Sequence, residues 1–343
     1  MVADARAPGA NAGAPGANAL VDAALAGDRR ALARILTAVE NRTPVAEVAL
    51  RRMYPIAGKA HLVGITGPPG AGKSTLVAAL IGIAREAGRA VGVIAVDPSS
   101  PITGGALLGD RVRMQSYATD TDVFIRSRAA RGHAGGLAST STAAAAVLDA
   151  AGFDLILIET VGTGQSEVEV AAAADTTVVL EAPEMGDEVQ AIKAGLLEVA
   201  DIVVVNKGDR PGAQRTASQL RAMLVATGRA GGGGATKAGV PPRPRPKEPE
   251  VLLTTATTGA GIPELLASLD RHRARGREAG DTPARLARAE AQVWAILADR
   301  LRSELHTPGN RAATDELMRS VAAHELDPFA AADRLLKSIG HSG

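Results

Sequence analysis

The sequence predicts an α/β fold in which a mainly parallel sheet is flanked by helices, and three observations carry that expectation. Short apolar runs alternate with helix-like segments from about residue 60 to 273. One run leads into Gly67-Pro68-Pro69-Gly70-Ala71-Gly72-Lys73-Ser74, and a later one leads into Asn206-Lys207-Gly208-Asp209. Alternating strands and helices imply crossover connections and a sheet buried on both faces, with sites at the carboxyl ends of its strands.

The elements follow in order. Residues 1–19 are rich in Ala, Gly, Pro and Asn, nearly repeat Ala-Pro-Gly-Ala-Asn, and read as a disordered low-complexity tail. Leu20, Ala24, Leu32, Ile35, Leu36 and Val39 then recur at helical spacing, interrupted at Asn41-Arg42-Thr43-Pro44, which predicts a helical extension over 20–59. The nucleotide domain, 60–273, holds candidate strands at 61–66, 91–96, 154–159, 176–181, 201–205 and 251–255, each short, apolar and flanked by Gly, Asp or Pro. Residues 228–250, Gly-rich and then Pro-Pro-Arg-Pro-Arg-Pro, read as a flexible insertion on the surface. The segment 281–343 reads as a helical arm with helices near 283–305, 312–323 and 328–339. Its stripe of Leu286, Val293, Leu297 and Leu301, with Trp294 nearby, suits either covering the nucleotide domain or pairing two subunits.

Composition narrows the classes. The hydrophobic fraction is 46% and the aromatic share 2%, so Ala, Val, Leu and Ile must fill the core. Lys+Arg is 38 against 37 for Asp+Glu, so no global field points to nucleic acid or an anionic membrane. The chain has no cysteine, which excludes disulfides, thiolate zinc sites and cysteine nucleophiles. No apolar run approaches a membrane span, and the first residues resemble neither a secretory signal nor a transit peptide; a cytoplasmic location is the expectation.

The run 67–74 fills G-x-x-x-x-G-K-[ST], between an apolar strand, His61 to Thr66, and a helix that opens at Ser74-Thr75. In the loop Gly67-Pro68-Pro69-Gly70-Ala71-Gly72, the backbone N–H groups of the non-proline residues, with the helix dipole, would face an anion. Lys73 would reach the β/γ-phosphates, and the Ser74 hydroxyl would bind Mg²⁺. Such a P-loop predicts a nucleoside triphosphate. The box Asn206-Lys207-Gly208-Asp209 follows the run Asp201 to Val205 and argues for the base. The Asp209 carboxylate can accept from both N1–H and the 2-amino group of guanine, a donor pair that adenine lacks. Leu253-Thr254-Thr255-Ala256 falls where a second base-contacting loop belongs. GTP and GDP are thus the expected ligands.

The strand Asp154 to Glu159 ends in an acid before Thr160-Val161-Gly162, a Walker-B-like end placed to hold Mg²⁺ directly or through water. Asp97 and Asp110 are two further acids, and three together exceed what Mg²⁺ usually needs. Thr163, not glutamine, follows Gly162, and Gln165 lies two residues beyond. Slow intrinsic turnover, raised by a residue that motion or a partner delivers, is the expectation.

These residues carry a resemblance. Gly64-Ile65-Thr66 running through the P-loop to Leu76, Asp97-Pro98-Ser99-Ser100-Pro101, Thr103-Gly104-Gly105, Leu108-Gly109-Asp110-Arg111, Phe124-Ile125-Arg126, Glu159-Thr160-Val161-Gly162, Gly164-Gln165-Ser166-Glu167, Gly186-Asp187-Glu188 and Gln190-Ala191-Ile192-Lys193 are collinear over about residues 60–260. Together they resemble the methylmalonyl-CoA mutase-associated GTPases, the MeaB/ArgK family. The resemblance implies a GTPase that associates with an adenosylcobalamin-dependent acyl-CoA mutase, gates its cofactor loading and guards it against inactivation. It also implies the adenosyltransferase that supplies the cofactor as a further partner, and a homodimer joined through the C-terminal arm. By the same carry-over Asp97, Asp110 and Glu159 surround Mg²⁺, and Gln190 and Lys193 belong to a mobile third switch. Read without the family, those two would be the exposed face of a helix. The basic run Arg126 to Arg131 departs from the family pattern, and its contacts are not legible.

Three other functions compete. A kinase would need an acceptor pocket and a catalytic base, and no separate constellation supplies either. A metallochaperone GTPase would present Cys or clustered His, whereas the six His here have no close ligand spacing. A pure binding switch would show no hydrolysis even with its partner.

Overall fold

The computed structural model describes residues 14–98, 117, 119–130, 136–160, 174–183, 197, 199–230, 249–278 and 282–340. Among them seven strands form one parallel sheet in the order β3-β2-β4-β1-β5-β6-β7. The strands are β1 (His61–Thr66), β2 (Val91–Pro98), β3 (Val123–Ala130), β4 (Leu155–Thr160), β5 (Thr176–Glu181), β6 (Ile202–Val205) and β7 (Glu250–Leu253). The helices are α1 (Ala14–Leu25), α2 (Arg29–Glu40), α3 (Pro44–Met53), α4 (Lys73–Glu86), α5 (Gly136–Ala150), α6 (Ala213–Ala230), α7 (Ile262–Glu278), α8 (Thr282–Leu305), α9 (Pro308–Ala322) and α10 (Pro328–Gly340). No described helix is long and apolar enough to cross a membrane.

The central strands are buried on both faces because their positions are almost all apolar or small, with an acid only near the carboxyl ends of β4 and β5, the pattern that parallel pairing demands. On one face α4 and α7 set Leu76, Leu80, Ile81, Leu265 and Leu269 against Val63, Ile65, Val93 and Leu157. On the other, Ile94, Phe124, Ile156 and Ile158 lie under α1, α2, α3 and α5, while α6 covers Val179, Val203 and Val205. The N-terminal extension is therefore part of the core.

Several boundaries differ from the sequence reading. The tail expected over 1–19 gives way to α1 at Ala14; residues 1–13 lie outside the described residues. The insertion expected over 228–250 is narrower, because α6 reaches Ala230 and β7 starts at Glu250; residues 231–248 lie outside the description. Helix α9 starts at Pro308 rather than 312, since proline suits the first helical turn, where its missing N–H costs nothing. Strand β3 was absent from the expected set. It is an edge strand that places Arg126 among apolar residues and so lacks the continuous apolar run of its neighbours. The Arg126 fork donates to both Glu40 oxygens at 2.8 and 2.6 Å and to Thr37 Oγ1 at 3.0 Å, which joins β3 to α2. Arg29, at the start of α2, donates to the carbonyls of Asp120, Thr121 and Val123 and lies 5.4 Å over the Phe124 ring.

Carboxylates pin the amino ends of the strands. Asp154, Asp175 and Asp201 accept from the backbone N–H groups of Ala90, Leu62 and Thr177 at 2.9, 3.1 and 2.8 Å. Asp149 of α5 accepts from Gly58, Lys59 and Ala60, so the entry to β1 is held by one buried acid. Beside them, the Thr176 hydroxyl lies 2.8 Å from both His61 Nε2 and His272 Nδ1, and His272 Nε2 is 3.6 Å from Asp201.

Residues 289–343 form a second compact unit. Within it Thr314 Oγ1 donates to the Leu305 carbonyl, and Asp327 caps α10 by accepting from Phe329 and Ala330. Val293, Trp294, Leu297, Met318 and Phe329 are exposed.

Burial lowers the pKa of His61 to about 4, with smaller opposing effects from neighbouring charges. Its neutral ring is favoured in the folded protein, so stability is complete above its ordinary value of 6.5 and falls as pH drops from there towards 4. The loss amounts to about 3 kcal/mol. Denaturant midpoints measured across that range should slope less steeply for His61→Phe than for the parent chain.

Candidate functional site

The carboxyl ends of β1, β4, β5 and β6 gather the residues that the sequence singled out. The loop Gly67 to Gly72 leaves β1 with three glycines in the left-handed region, Gly67, Gly70 and Gly72, at φ +138°, +80° and +96°. At Gly67 the requirement is also spatial, because a Cβ would sit 2.2 Å from the Leu180 carbonyl oxygen of β5. The loop delivers the chain to α4, which begins at Lys73, so its first-turn N–H groups and positive dipole end converge on the loop. That concave run of donors is an anion cradle.

Lys73 is 6% exposed, and its ammonium donates to the carbonyls of Gly67 and Pro68 at 2.7 and 3.0 Å. It thus lies over the loop, where phosphate oxygens would replace neutral carbonyls with charge-assisted and stronger acceptors. Ser74 Oγ donates to Glu159 Oε1 at 2.6 Å, and both side chains are buried. A hydroxyl that gives its proton to a carboxylate keeps its lone pairs for a cation, so the pair fits a divalent metal bound through oxygen. Thr160 Oγ1 donates to Thr66 Oγ1 at 3.3 Å, joining the carboxyl ends of β4 and β1 beside this pair.

The base box is built around Asn206. Its Nδ2 donates to the Ala71 carbonyl at 2.9 Å, and its Oδ1 accepts from Ala256 N at 3.1 Å and Thr254 Oγ1 at 3.2 Å. One buried amide therefore ties the phosphate loop to the second base loop. Lys207 adopts φ +57°, a left-handed conformation rare for a residue with a side chain. It lets Gly208 N donate to Thr254 O while Asp209 stays exposed. Thr255 N donates to Ala260 O, which folds residues 255–260 into a tight loop ahead of α7.

Lys73, Ser74, Glu159, the loop from Gly67 to Thr75, Asn206, Lys207, Asp209, Thr255 and Ala256 thus share one end of the sheet. Asp97 occupies the penultimate position of β2, opposite Ala129 of β3. Asp110, Gln190 and Lys193 lie outside the described residues. The sequence reading passed over Glu181, which is 1% exposed at the carboxyl end of β5 and whose carbonyl accepts from Asn206 N. Its signal was available: an acid closes an apolar strand there, as Glu159 does in β4.

The sequence model of the family described as methylmalonyl Co-A mutase-associated GTPase MeaB matches residues 32–310. A provisionally named GTPase of Pyrococcus abyssi is 45% identical over 321 residues, covering 93% of this chain and 96% of its own. The mouse mitochondrial protein named methylmalonic aciduria type A homolog is 33% identical over 333 residues, covering 91% of this chain and 77% of its own. A crystal structure described as LAO/AO transport system kinase superposes with a TM-score of 0.63 at 24% identity, covering 95% of this chain and 98% of that one; this likeness concerns the fold.

Two substitutions test the geometry. Gly67→Ala should lower unfolding stability by about 3 kcal/mol or more through a strained backbone and the clash with Leu180, read from denaturant midpoints. Asn206→Ala orphans the Ala256 N–H and the Ala71 carbonyl, a cost of about 1–3 kcal/mol. Nucleotide affinity measured by titration calorimetry should fall with it.

Proposed function

This chain belongs to the methylmalonyl Co-A mutase-associated GTPase family, and on that premise we propose that it is the GTP-driven chaperone of an adenosylcobalamin-dependent acyl-CoA mutase. In this role GTP binding and hydrolysis gate cofactor loading and protect or reactivate the mutase. Its GTPase class follows from the family. The mutase assignment draws its support from the family description and from the mouse relative's name.

The observation that carries the GTP reading is the Asn206 brace, which fixes a phosphate loop and a base loop to one another as a single cleft. In that cleft Lys73 neutralises phosphate charge, first-turn N–H groups of α4 hold the phosphate oxygens, and Asp209 selects guanine. Ser74 and Glu159, joined by Asp97 and Asp110, would hold Mg²⁺, which supplies charge neutralisation across the phosphates when bound. Gln190 and Lys193 act as the switch that reports nucleotide state to the mutase. Turnover by the isolated chain is slow, because no glutamine follows Gly162 to orient the attacking water.

The adenosyltransferase that supplies the mutase's cofactor is a further partner in this scheme, and the cytoplasm its place. A homodimer formed through the C-terminal arm would give a use to the exposed Val293, Trp294, Leu297 and Phe329 by taking their apolar side chains from water.

Steady-state GTP hydrolysis, measured alone and with a cobalamin-dependent mutase from the same source, tests the proposal. A slow basal rate raised several-fold by the mutase is expected; basal hydrolysis without stimulation would remove the mutase from it. Lys73→Ala should lower turnover by about a hundredfold or more. Lys193→Ala should spare GTP binding and abolish stimulation, whereas loss of binding would move Lys193 into the nucleotide site.

A further inference from the structure

A groove of about 610 Å³ lies on the β7 edge of the sheet. Arg221 reaches it from α6, and Arg271 and Arg275 reach it from successive turns of α7. Leu224 and Val251, both buried, form its apolar floor. Its one acid among the described residues, Glu250, already accepts from Ser268 Oγ at 2.6 Å and from Arg271 Nη2 at 3.1 and 3.0 Å. Those two donors outweigh the cost of burial and lower the Glu250 pKa, so the carboxylate is charged and spoken for. Among the described residues, three guanidiniums against one carboxylate leave an excess of two positive charges around an apolar floor.

An edge strand can instead recruit an extended peptide, but this one is blunted. Thr254 N donates inward to Val205 O, so Val251 and Leu253 turn their backbone groups outward. Arg221 Nη2 already occupies the Val251 carbonyl at 2.9 Å. The backbone of Gly261 comes so close to the Leu253 carbonyl that a Cβ there would stand 2.2 Å from it. A four-residue strand with both outward carbonyls covered offers no ladder to a peptide. The volume, by contrast, lies within the range of small-molecule sites, and guanidinium forks match oxyanions in bidentate geometry.

We propose that this groove binds a small organic dianion, its oxyanion held by Arg221, Arg271 and Arg275 and its apolar part resting on Leu224 and Val251. A phosphate monoester and a dicarboxylate share that chemistry. The site stands at the amino end of β7, whereas the guanine loop follows its carboxyl end, so the two ligands do not compete.

Phenyl phosphate and phenylsuccinate are the probes, titrated calorimetrically into the full chain saturated with GDP and, in parallel, into Lys73→Ala, so that the phosphate loop cannot take the probe. Binding of one equivalent, weakened at least tenfold in Arg221→Ala and in Arg275→Ala while GDP affinity is unchanged, is the expected result. Preference for one probe assigns the oxyanion as phosphate or carboxylate. Absence of binding by both probes at millimolar concentration, or equal binding by the arginine variants, overturns the proposal. If Arg221→Ala only drives concentration-dependent self-association, the arginine guards the sheet edge and the proposal fails. GDP affinity is a separate readout, so failure of the nucleotide assignment would be seen independently.

Discussion

The Asn206 amide is the constraint on which the functional end of the molecule depends. It is 2% exposed, and it holds the Ala71 carbonyl on one side and the Ala256 N–H on the other. A buried amide without partners is costly, so neither loop can shift alone without stranding polar groups. The constraint reaches into the sequence. Gly72 must lack a Cβ, because one would lie 2.4 Å from Asn206 Nδ2, and the Asn206 N–H is itself fixed by the Glu181 carbonyl of β5. Phosphate loop, base loop and sheet thus behave as one object, which is what selective recognition of a whole nucleotide requires.

The two ends of the sheet are built in opposite ways. At the amino ends side-chain carboxylates absorb backbone N–H groups: Asp154, Asp175 and Asp201 each serve a neighbouring strand, and Asp149 serves the entry to β1. The neutral His61 ring closes that end, joined to His272 through Thr176. At the carboxyl ends glycines with positive φ keep side chains away, and the donors of the phosphate loop point towards the ligand position. One end supplies rigidity, and the other converts it into preorganised dipoles.

What could be read from the sequence was local. The phosphate loop was legible because its glycines, lysine and serine act within eight consecutive residues, and β1, β4, β5 and β6 because both faces are apolar. Strand β3 was not legible, since an edge position tolerates Arg126, whose partner Glu40 stands 86 residues away. The start of α1 within an Ala-Gly-Pro-Asn stretch was hidden for a similar reason: Ala17, Val21 and Ala24 are buried by tertiary packing rather than by any strong helical signal of their own. The Asn206 brace and the burial of Glu181 depend on contacts across strands, which no single motif encodes.

The pairing of Lys73 with carbonyls and Ser74 with Glu159 explains how charge is carried in a site of low exposure. An isolated buried ammonium or carboxylate is costly, and each is stabilised here by polar atoms at 2.6–3.0 Å. The two carbonyls that Lys73 touches are neutral, and phosphate oxygens would be stronger, charge-assisted acceptors for its ammonium. Glu159 Oε1 accepts the Ser74 hydroxyl, and a divalent ion placed there would meet a carboxylate oxygen together with the lone pairs of Ser74.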